Sequence, residues 1–502
     1  MVGTASLLAG AAIEYHCAGS AQLLGDSHLV TLQKVLALPA TTNLETLAEE
    51  RFSDWLTNFL GHENSNPTAS LIEPLLKDIV ENESLGQFGS ASVNEPGFIL
   101  AVHLSGQRRQ LWQDNAGKIL GGNSQKFSVQ QFDGLRWTLH DSHSNSFWIV
   151  SAQDWLLAGC GDNFSSAQLQ YLSQIKSQGR PAPALEGDWL QADISSVQIG
   201  GWFRYLKPAT IRITVRPKED NLQVEARISE ENAVAWTSNP WQIPKDLMRG
   251  QVISFTAGQD VAAFLKLNSG LSSLDANPLT NQFFFWALDQ MPMLNYMAWP
   301  ESNASNALEK LSTELPAMLN PDLKRFNGTE LIWHPEAGKL VWHHMGLFVP
   351  GLQAEQKTNG QFLFFSSFPR SKGKPMPDAL LAQIGGRTNL VYYNWELTGK
   401  RLQEWEILSR MISNRSLGKG KDVIYKSGIE TEWFGSLARL VGNTVTEITR
   451  SAPNELSVTR KAPVGLSALE LVSLADWLCD ADSGPIHSLP PAGNSGSPPG
   501  HR

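Results

Sequence analysis

The sequence predicts an α+β fold of two tandem, duplicated units, each a mainly antiparallel sheet with packed helices. Segments of period two, typical of strands with one buried face, alternate along the chain with segments of period 3.6, typical of amphipathic helices. In addition, an apolar strand, a capped helix and a second apolar strand occur twice in the same order, in residues 147–194 and again in residues 362–397. Together these two observations favour repeated α+β units over a single large domain.

The composition supports globular cores and argues against nucleic-acid binding. Of the 502 residues 42% are apolar and 18% are charged, below the ~25% charged residues of an average soluble domain. The net charge of −9 argues against a general nucleic-acid partner, which requires basic patches. The 17 tryptophans are explained by packing in sheet cores, with a stacking platform for sugar or lipid as the alternative. The three cysteines (Cys17, Cys160 and Cys479) lack the Cys-x-x-Cys spacing of zinc and thioredoxin-like sites.

The first twenty residues resemble the apolar part of an export leader. Val2–Ile13 is uncharged and too short to span a bilayer as a helix, which takes about 20 residues. Ala18-Gly-Ser20 offers a small-x-small cleavage site before Ala21, but no Lys or Arg precedes Lys34. The sequence therefore predicts export to the periplasm or envelope. A start inside a longer leader, or a buried N-terminal segment in a cytoplasmic protein, explains the missing positive charge.

Changes of pattern divide the chain into five segments. They are a leader-like segment (1–20), an N-terminal helical segment (21–65), a first α+β unit (66–250), a second α+β unit (251–481) and a disordered tail rich in Pro, Gly and Ser (482–502). The predicted order of elements repeats between residues 66–229 and 260–478 far better than the residues themselves do. A loose self-alignment, which any α+β chain allows, is the alternative to duplication.

Helix boundaries are predicted from caps. Three pairs of residues have the capping-box pattern: Thr42 with Glu45, Ser165 with Gln168, and Ser467 with Glu470. A helix over residues 71–80 tolerates Pro74 only in its first turn. Further helices are predicted over residues 27–38, 107–120, 260–267, 303–319, 377–384 and 402–412.

Hairpins are predicted where two alternating segments flank a turn signal. Asp133-Gly134, typical of a type I′ turn, is predicted to connect strands over residues 127–132 and 135–139. The clearest alternation is in residues 211–216 and 222–228, whose apolar positions predict one face on a core. The other predicted strand pairs are 87–93 with 98–104, 282–287 with 294–299, 329–334 with 339–344, and 444–450 with 456–460.

No catalytic, cofactor-binding or metal-binding residue is predicted. His140-Asp-Ser-His143 at a hairpin mouth suggests a metal or acid–base role, but zinc normally takes four ligands and a polar turn explains the pattern. His343 and His344 are predicted to point to opposite faces of a strand. His334 is able to join one of them across the hairpin, and a solvated sheet face explains all three.

Three further patterns lack their partner elements. Ser173-Gln-Ile-Lys176 and Ser416-Leu-Gly-Lys419 match the Ser-x-x-Lys of penicillin-recognising enzymes, but no Ser-Asp-Asn or Lys-Thr-Gly accompanies them. Asp480-Ala-Asp-Ser-Gly484 departs from a calcium loop because its glycine comes one place early and no Glu closes it.

The order of strands, hairpins and helices is similar to that of exported bacterial proteins built from repeated α+β units. The resemblance depends on Trp- and Tyr-rich strands such as Leu390-Val-Tyr-Tyr-Asn-Trp-Glu-Leu397 and on the closing segment Leu456–Leu466, and it covers roughly Ala21–Leu478. It implies an envelope location behind a signal or anchor. It implies no activity and no site residue.

These observations lead to three functional hypotheses. The first is a non-enzymatic cell-envelope binding or scaffold protein that needs no cofactor and whose partner is an envelope protein, a glycan or a lipid. The second is a carrier of lipid or another apolar ligand, with a cavity lined by Phe283-Phe-Phe-Trp286 and Phe362-Leu-Phe-Phe365. The third is a hydrolase that uses His140 and His143. A continuous apolar cavity above ~300 Å³ favours the carrier, whereas a packed core argues against it.

Overall fold

The protein consists of two compact units, each built of antiparallel strands and packed helices. The computed structural model describes residues 13–59, 66–89, 98–121, 124–138, 146–195, 208–230, 239–260, 281–289, 294–324, 329–344, 349–368, 373–416 and 427–479. Unit 1 comprises Met1–Glu231 and Ser473–Arg502, and unit 2 comprises Asn232–Val472. The mixture of helices with antiparallel sheet is the predicted α+β class.

Unit 1 forms ten strands within its described residues. They are β1 (Ile13–Cys17), β2 (Ser84–Phe88), β3 (Phe98–His103), β4 (Gln125–Val129), β5 (Phe132–Thr138), β6 (Ser146–Ala152), β7 (Trp155–Cys160), β8 (Leu190–Ser195), β9 (Pro208–Lys218) and β10 (Asn221–Glu230). They pair in the order β4-β5-β6-β7-β3-β2-β1-β8-β9-β10, every pair antiparallel. Its helices are α1 (Ser20–Gly25), α2 (Val30–Leu36), α3 (Pro39–Phe59), α4 (Asn66–Glu81), α5 (Gly106–Leu120) and α6 (Ser166–Gln178).

The strand β1 lies inside the sheet of unit 1, although its residues belong to the predicted leader-like segment. Tyr15 is paired with Gly86 of β2 on one side and with Ala192 of β8 on the other. Cleavage after Ser20 would remove this strand and leave two neighbours without their backbone partner. In the full chain these residues form a central strand of unit 1, and the export leader stays a prediction.

Both faces of the unit 1 sheet are covered. Ile99, Trp148 and Leu157 pack with residues of α6 on one face, and Leu100, Ile149 and Leu156 pack with residues of α5 on the other. Neighbouring residues of these central strands thus point into two different cores. This explains why β6 and β7 are continuous apolar runs without alternation.

Unit 2 forms a second set of ten strands within its described residues. They are β11 (Val252–Gln259), β12 (Gln282–Leu288), β13 (Leu294–Pro300), β14 (Glu330–His334), β15 (Lys339–His343), β16 (Gly351–Lys357), β17 (Gly360–Ser366), β18 (Leu390–Leu397), β19 (Asn443–Ala452) and β20 (Glu455–Ala462). They pair in the order β14-β15-β16-β17-β13-β12-β11-β18-β19-β20. Its helices are α7 (Ala304–Leu323), α8 (Asp378–Leu381), α9 (Thr398–Ser416), α10 (Ser427–Leu437) and the first part of α11 (Ala468–Cys479).

The two pairing orders are the same, since each strand of unit 2 occupies the place of the strand numbered ten lower in unit 1. By this correspondence β17 matches β7, whereas the strand repeat predicted from sequence matched β17 to β6. The mismatch arises because β7 and β16 were not predicted, which shifts the match by one strand. Four strands in all were missed, the other two being β1 and β11.

The core of unit 2 includes segments outside its sheet. Ile243, Leu247 and Met248 pack in one cluster with Phe284 and Trp286, both fully buried. Residues 243–248 therefore belong to unit 2, although the sequence analysis had placed the boundary between residues 250 and 251. A second cluster lies between α7 and strands β14 to β17.

The turn between β4 and β5 differs from the prediction. Asp133 and Gly134 lie inside β5, and the two-residue turn is formed by Gln130 and Gln131, whose φ angles are +49° and +75°. Gly134 pairs with Phe127, and a Cβ on Gly134 would lie 2.6 Å from the Phe127 ring. The glycine is thus required for the close approach of an aromatic ring, and not for the turn.

Two of the three predicted capping boxes are confirmed, at Ser165 with Gln168 and at Ser467 with Glu470. The third is wrong, because α3 begins at Pro39 and Thr42 already lies inside the helix. Pro74 also lies inside its helix, since α4 begins at Asn66.

Several expectations fall on residues outside the described ranges. They are residues 1–12, the helix predicted over 260–267, and the tail 482–502. Cys17 and Cys160 are free thiols, and the side chain of Cys479 is outside the described part. Among the described residues, no helix is long and apolar enough to cross a membrane.

Candidate functional site

Unit 2 contains a cleft of about 870 Å³ whose described lining is largely apolar. Its floor is formed by neighbouring residues of β18 and β19, among them Tyr393, Trp395 and Val445. One wall is the start of β11 around Val252, and another is the segment 373–383, which includes α8. The size lies within the range of ~300–1,000 Å³ that is typical of small-molecule sites.

Strand register places the floor residues side by side. Trp395 is directly paired with Val445, and Tyr393 with Glu447, so all four side chains lie on one face of the sheet. Trp395 and Val445 are only partly buried, whereas Tyr393 is 3% exposed and packs in the core beneath. The cleft therefore has an accessible indole ring on a rigid floor.

Backbone hydrogen bonds hold the walls together. The Gly250 N–H donates to the Lys374 carbonyl at 2.7 Å, and the Met376 N–H donates to the Met248 carbonyl at 3.0 Å. Arg249 and Pro375 form an isolated antiparallel bridge between these contacts. Met248 and Met376 are also buried in the core, so this two-stranded wall is fixed to the sheet.

The charged group on the floor is neutralised within the protein. Arg387 donates two hydrogen bonds to the Glu447 carboxylate, at 3.0 and 2.8 Å. The bonds from Arg387 to Glu447 raise the pKa of the guanidinium above its ordinary value. Burial, together with the nearby Glu447 charge, raises the pKa of Tyr393 to about 12, so the phenol stays neutral. At neutral pH the floor carries an ion pair and no net charge.

The described lining of the cleft contains few of the residue types common in catalytic sites. Its described lining contains no histidine, cysteine, serine or aspartate, and its one carboxylate, Glu447, is already paired with Arg387. A nucleophile with an adjacent base is therefore absent from this lining. The rim adds polar groups from Gln251, Lys374 and Gln383, which are suited to orienting a ligand.

The strands expected to line a cavity instead form a packed core. Phe284, Trp286, Phe362 and Phe364 are each at most 1% exposed and belong to one cluster. None of them lines the cleft. The aromatic strands predicted to line a carrier cavity are thus not the lining of this cleft. The sequence does not distinguish the two cases, because fully buried aromatic strands and cavity walls have the same apolar pattern.

The structure describes three of the five histidines that were singled out in the sequence. His140 and His143 lie outside the described residues. His334 and His343 are brought together across the β14–β15 hairpin, with their Nε2 atoms 2.9 Å apart. His344 follows β15 in a left-handed conformation, and its ring centroid is 6.2 Å from that of His343.

The remaining motif residues show no site. Ser173 and Lys176 are exposed positions of α6. Lys419 and Asp480-Ala-Asp-Ser-Gly484 lie outside the described ranges. No group of three or more potential metal ligands is found among the described residues.

Unit 1 contains a charged cluster that the sequence analysis missed. His16 Nε2 lies 2.8 Å from Oε1 of Glu83, and the same oxygen accepts a hydrogen bond from Arg180. Burial raises the pKa of Glu83, but the hydrogen bond from His16 and the charge of Arg180 outweigh it and hold the pKa below its ordinary value. These residues are 67 and 97 positions apart from Glu83, so no local motif predicts them. We interpret the cluster as a structural link, because the carboxylate is already bound by two donors.

A buried polar layer lies on unit 2 around the start of α9. Glu396 accepts hydrogen bonds from the Ala468 N–H at 2.7 Å and from the Thr398 hydroxyl at 3.1 Å. One turn further on, Arg401 and Glu404 form an ion pair of 2.6 Å with side chains only 11% and 12% exposed. Burial raises the pKa of Glu404 to about 7, against the opposing effect of Arg401.

Replacing Glu404 by glutamine is expected to flatten the pH dependence of unit 2 stability. The folded-state pKa of about 7 lies above the ordinary value of 4.5, so the folded state binds this proton more tightly. The resulting stabilisation is complete below pH 4.5 and is lost as the pH rises through 7, a change of up to about 3 kcal/mol. Urea unfolding of unit 2 between pH 4 and 8 measures it. Glu336→Gln, at an exposed turn, is the control, and an unchanged slope in Glu404→Gln would contradict the expectation.

Comparisons with known proteins show no family. No protein-family model matches the chain, and no curated protein matches it. Two crystal structures of TP0453, forms IV and I, are similar to part of the chain at 10% sequence identity and a TM-score of 0.23. They cover 44% and 45% of this chain and 77% and 78% of TP0453. A TM-score this low supports no inference about fold or function.

Proposed function

We propose that the chain is a non-enzymatic binding protein of the cell envelope, and that the unit 2 cleft binds an apolar or amphipathic small molecule. The observation that supports this most is the cleft of about 870 Å³, with its half-buried Trp395 on a rigid floor. Such a site removes apolar ligand surface from water and stacks rings or acyl chains against the indole. This proposal combines the envelope-protein hypothesis with the carrier hypothesis. It assigns the ligand to the unit 2 cleft and not to a cavity lined by residues 283–286 and 362–365.

The charge distribution supports binding over catalysis. The floor is neutral because Glu447 is paired with Arg387, and the polar groups lie at the rim. An apolar body with a polar end matches this arrangement, since few polar groups then fix the orientation of the ligand. The hydrolase hypothesis has no support from this lining.

We also propose that the two units arose by duplication of one α+β unit. The support is the common pairing order of ten strands in each unit. Within the described residues, unit 2 has α9 and α10 between β18 and β19, and unit 1 has α1 to α4 between β1 and β2. The resemblance to exported bacterial proteins of repeated units is part of this proposal. Fractionation of cells that express the natural gene tests the envelope location, and recovery only from the cytoplasm would contradict it.

Titration with an uncharged apolar fluorophore, N-phenyl-1-naphthylamine, tests the cleft. We expect saturable binding to the full chain, and Trp395→Ala should weaken it by about tenfold, or about 1.4 kcal/mol. Ala379→Trp should weaken it as well, because Ala379 is an exposed residue of the wall and a large side chain there occupies the cleft.

Trp333→Ala serves as the matched control, since Trp333 is partly buried against α7 and does not line the cleft. Equal weakening in all three variants would show that the probe binds elsewhere or that folding is disturbed. Unchanged affinity in both Trp395→Ala and Ala379→Trp would overturn the proposal. Circular dichroism of each variant separates loss of the site from loss of the fold.

A further inference from the structure

The two histidines of the β14–β15 hairpin form a site that the cleft does not involve. His334 is the last residue of β14 and His343 the last of β15, and both are half-buried. Their Nε2 atoms are 2.9 Å apart, and their rings are tilted by 30° with centroids at 5.1 Å. Both imidazoles thus present the same ring nitrogen to one point.

The separation of the two nitrogens is small enough for both to bind one metal ion. Two metal–nitrogen bonds of about 2.05 Å at a right angle place their nitrogens about 2.9 Å apart, whereas a tetrahedral angle places them about 3.3 Å apart. The observed 2.9 Å is the length of the hydrogen bond between the rings, and it is close to the right-angle value, so little ring movement is needed to bind a metal ion at adjacent corners. Square-planar and tetragonal coordination by nitrogen and oxygen is characteristic of divalent copper and nickel.

The neighbouring residues supply no third ligand from the described part of the chain. Glu330 is directly paired with His343, but its carboxylate forms an ion pair with Lys324 at 3.0 Å. Among the described residues no third potential ligand joins the two histidines. A Cu²⁺ ion at this point would take its remaining ligands from water.

We propose that His334 and His343 bind one divalent copper ion, and nickel more weakly, through their Nε2 atoms at adjacent corners of a tetragonal site. The order of affinity follows because imidazole sites bind Cu²⁺ more tightly than Ni²⁺ or Zn²⁺. Metal binding replaces the hydrogen bond between the two rings. The ring that donated its Nε2 proton takes the Nδ1–H tautomer, so the neutral pair releases no net proton.

Calorimetric titration of the untagged full chain with Cu²⁺, Ni²⁺ and Zn²⁺ salts tests the site. We expect His334→Ala and His343→Ala each to weaken Cu²⁺ binding by at least about tenfold. Replacing a residue that only hydrogen-bonds to a metal ligand already lowers the metal affinity by about that factor, and these two residues are the ligands themselves. His344→Ala and His28→Ala are the controls. His344 adjoins the pair, and the exposed His28 instead contacts Asp26 at 3.0 Å. Neither control should change the affinity.

Electron paramagnetic resonance of the Cu²⁺ complex gives an independent readout. An axial spectrum with hyperfine structure from two imidazole nitrogens is expected, reduced to one in either single variant. Equal Cu²⁺ affinity and the same spectrum in the wild type, His334→Ala and His343→Ala would overturn the proposal. So would the absence of Cu²⁺ binding to the wild type. The variants lie on a hairpin face away from the α7 core, and circular dichroism confirms their folding.

Discussion

Replacing Asp78 by alanine is expected to lower the free energy of unfolding of unit 1 by about 3 kcal/mol, the combined cost of losing hydrogen bonds to a charged group and of leaving a buried donor unsatisfied. Asp78 of α4 is 5% exposed. Its carboxylate accepts hydrogen bonds from Arg108 at 2.8 and 3.0 Å and from the Trp112 indole N–H at 2.8 Å. Alanine leaves the buried indole N–H without its acceptor and the guanidinium without its counter-charge.

The same contacts explain why the effect should be larger than for a surface pair. Arg108 and Trp112 are four residues apart on α5, so one carboxylate fixes the face that α5 presents to α4. Asp78→Asn should have an intermediate effect, because the amide oxygen is still able to accept from Trp112. Urea unfolding, with hydrogen exchange of the α4 and α5 peptides as a local readout, measures the change.

Glu81→Ala is the matched control, since Glu81 ends the same helix and its ion pair with Lys77 is exposed and 3.7 Å long. An exposed pair of this kind contributes at most about 0.5 kcal/mol. If Asp78→Ala and Glu81→Ala had equal small effects, the Asp78 cluster would not stabilise unit 1. If Asp78→Ala and Glu81→Ala both unfolded unit 1, the effect would not be specific to the Asp78 contacts.

Local patterns predicted local structure well. The capping box at Ser165 depends on Gln168, only three residues away, and it forms as predicted. The β9–β10 hairpin has the register that its alternation predicts, with Val215 opposite Val224. In both cases the signal and the structure lie within a few residues of each other, so no knowledge of the tertiary fold is needed.

The missed strands were those whose neighbours are distant in sequence. Gly351–Lys357 has no apolar alternation, and its strand β16 exists because β15 and β17 pair with it on either side. Ile13–Cys17 lies at the end of the leader-like segment, and only its pairing with residues 84–88 and 190–194 makes it a central strand. Propensity was overruled there by tertiary pairing.

The candidate cleft could not be predicted from the sequence, because its residues are also brought together by pairing between distant strands. Trp395 and Val445 become neighbours only through the register of β18 with β19, which are separated by two helices. A half-buried tryptophan at a cleft and a buried one in a core look alike in a strand pattern. His334 was named as able to join His343 across the hairpin, but the register places His334 opposite Lys339 and His343 opposite Glu330, so their contact at 2.9 Å was not predictable.

Several glycines are paired across strands with an aromatic ring, which identifies positions of very tight packing. Gly86 pairs with Tyr15, and Gly159 pairs with Trp148. A Cβ on Gly86 would lie 2.2 Å from the Tyr15 ring. In each pair the aromatic ring occupies the space in which a side chain at the glycine position would lie. These glycines are therefore required by distant residues, and their sequence neighbours give no sign of it.

Replacing Gly159 by alanine is expected to destabilise unit 1 by about 3 kcal/mol, near the upper end of what overpacking costs. Gly159 lies in β7 between β6 and β3, and a Cβ would be 2.4 Å from Cζ2 of Trp148 and 2.8 Å from the Phe98 carbonyl oxygen. Trp148 is fully buried and cannot turn out to solvent, so the clash must be relieved by moving the sheet. Urea unfolding followed by hydrogen exchange of the β6 and β7 peptides gives the magnitude.

Gly25→Ala is the same chemical change at a site with no atom within 4 Å of the new Cβ, and it should be neutral or stabilising by up to about 1 kcal/mol. The cause of the Gly159 effect is tested by a double-mutant cycle with Trp148→Phe, since phenylalanine lacks the outer indole atoms Cζ2 and Cη2 that the new Cβ would meet. We expect Gly159→Ala to cost at least about 1 kcal/mol less in the Trp148→Phe background, as coupled contacts do. An equal cost in both backgrounds would show that the indole ring is not what excludes a side chain from position 159.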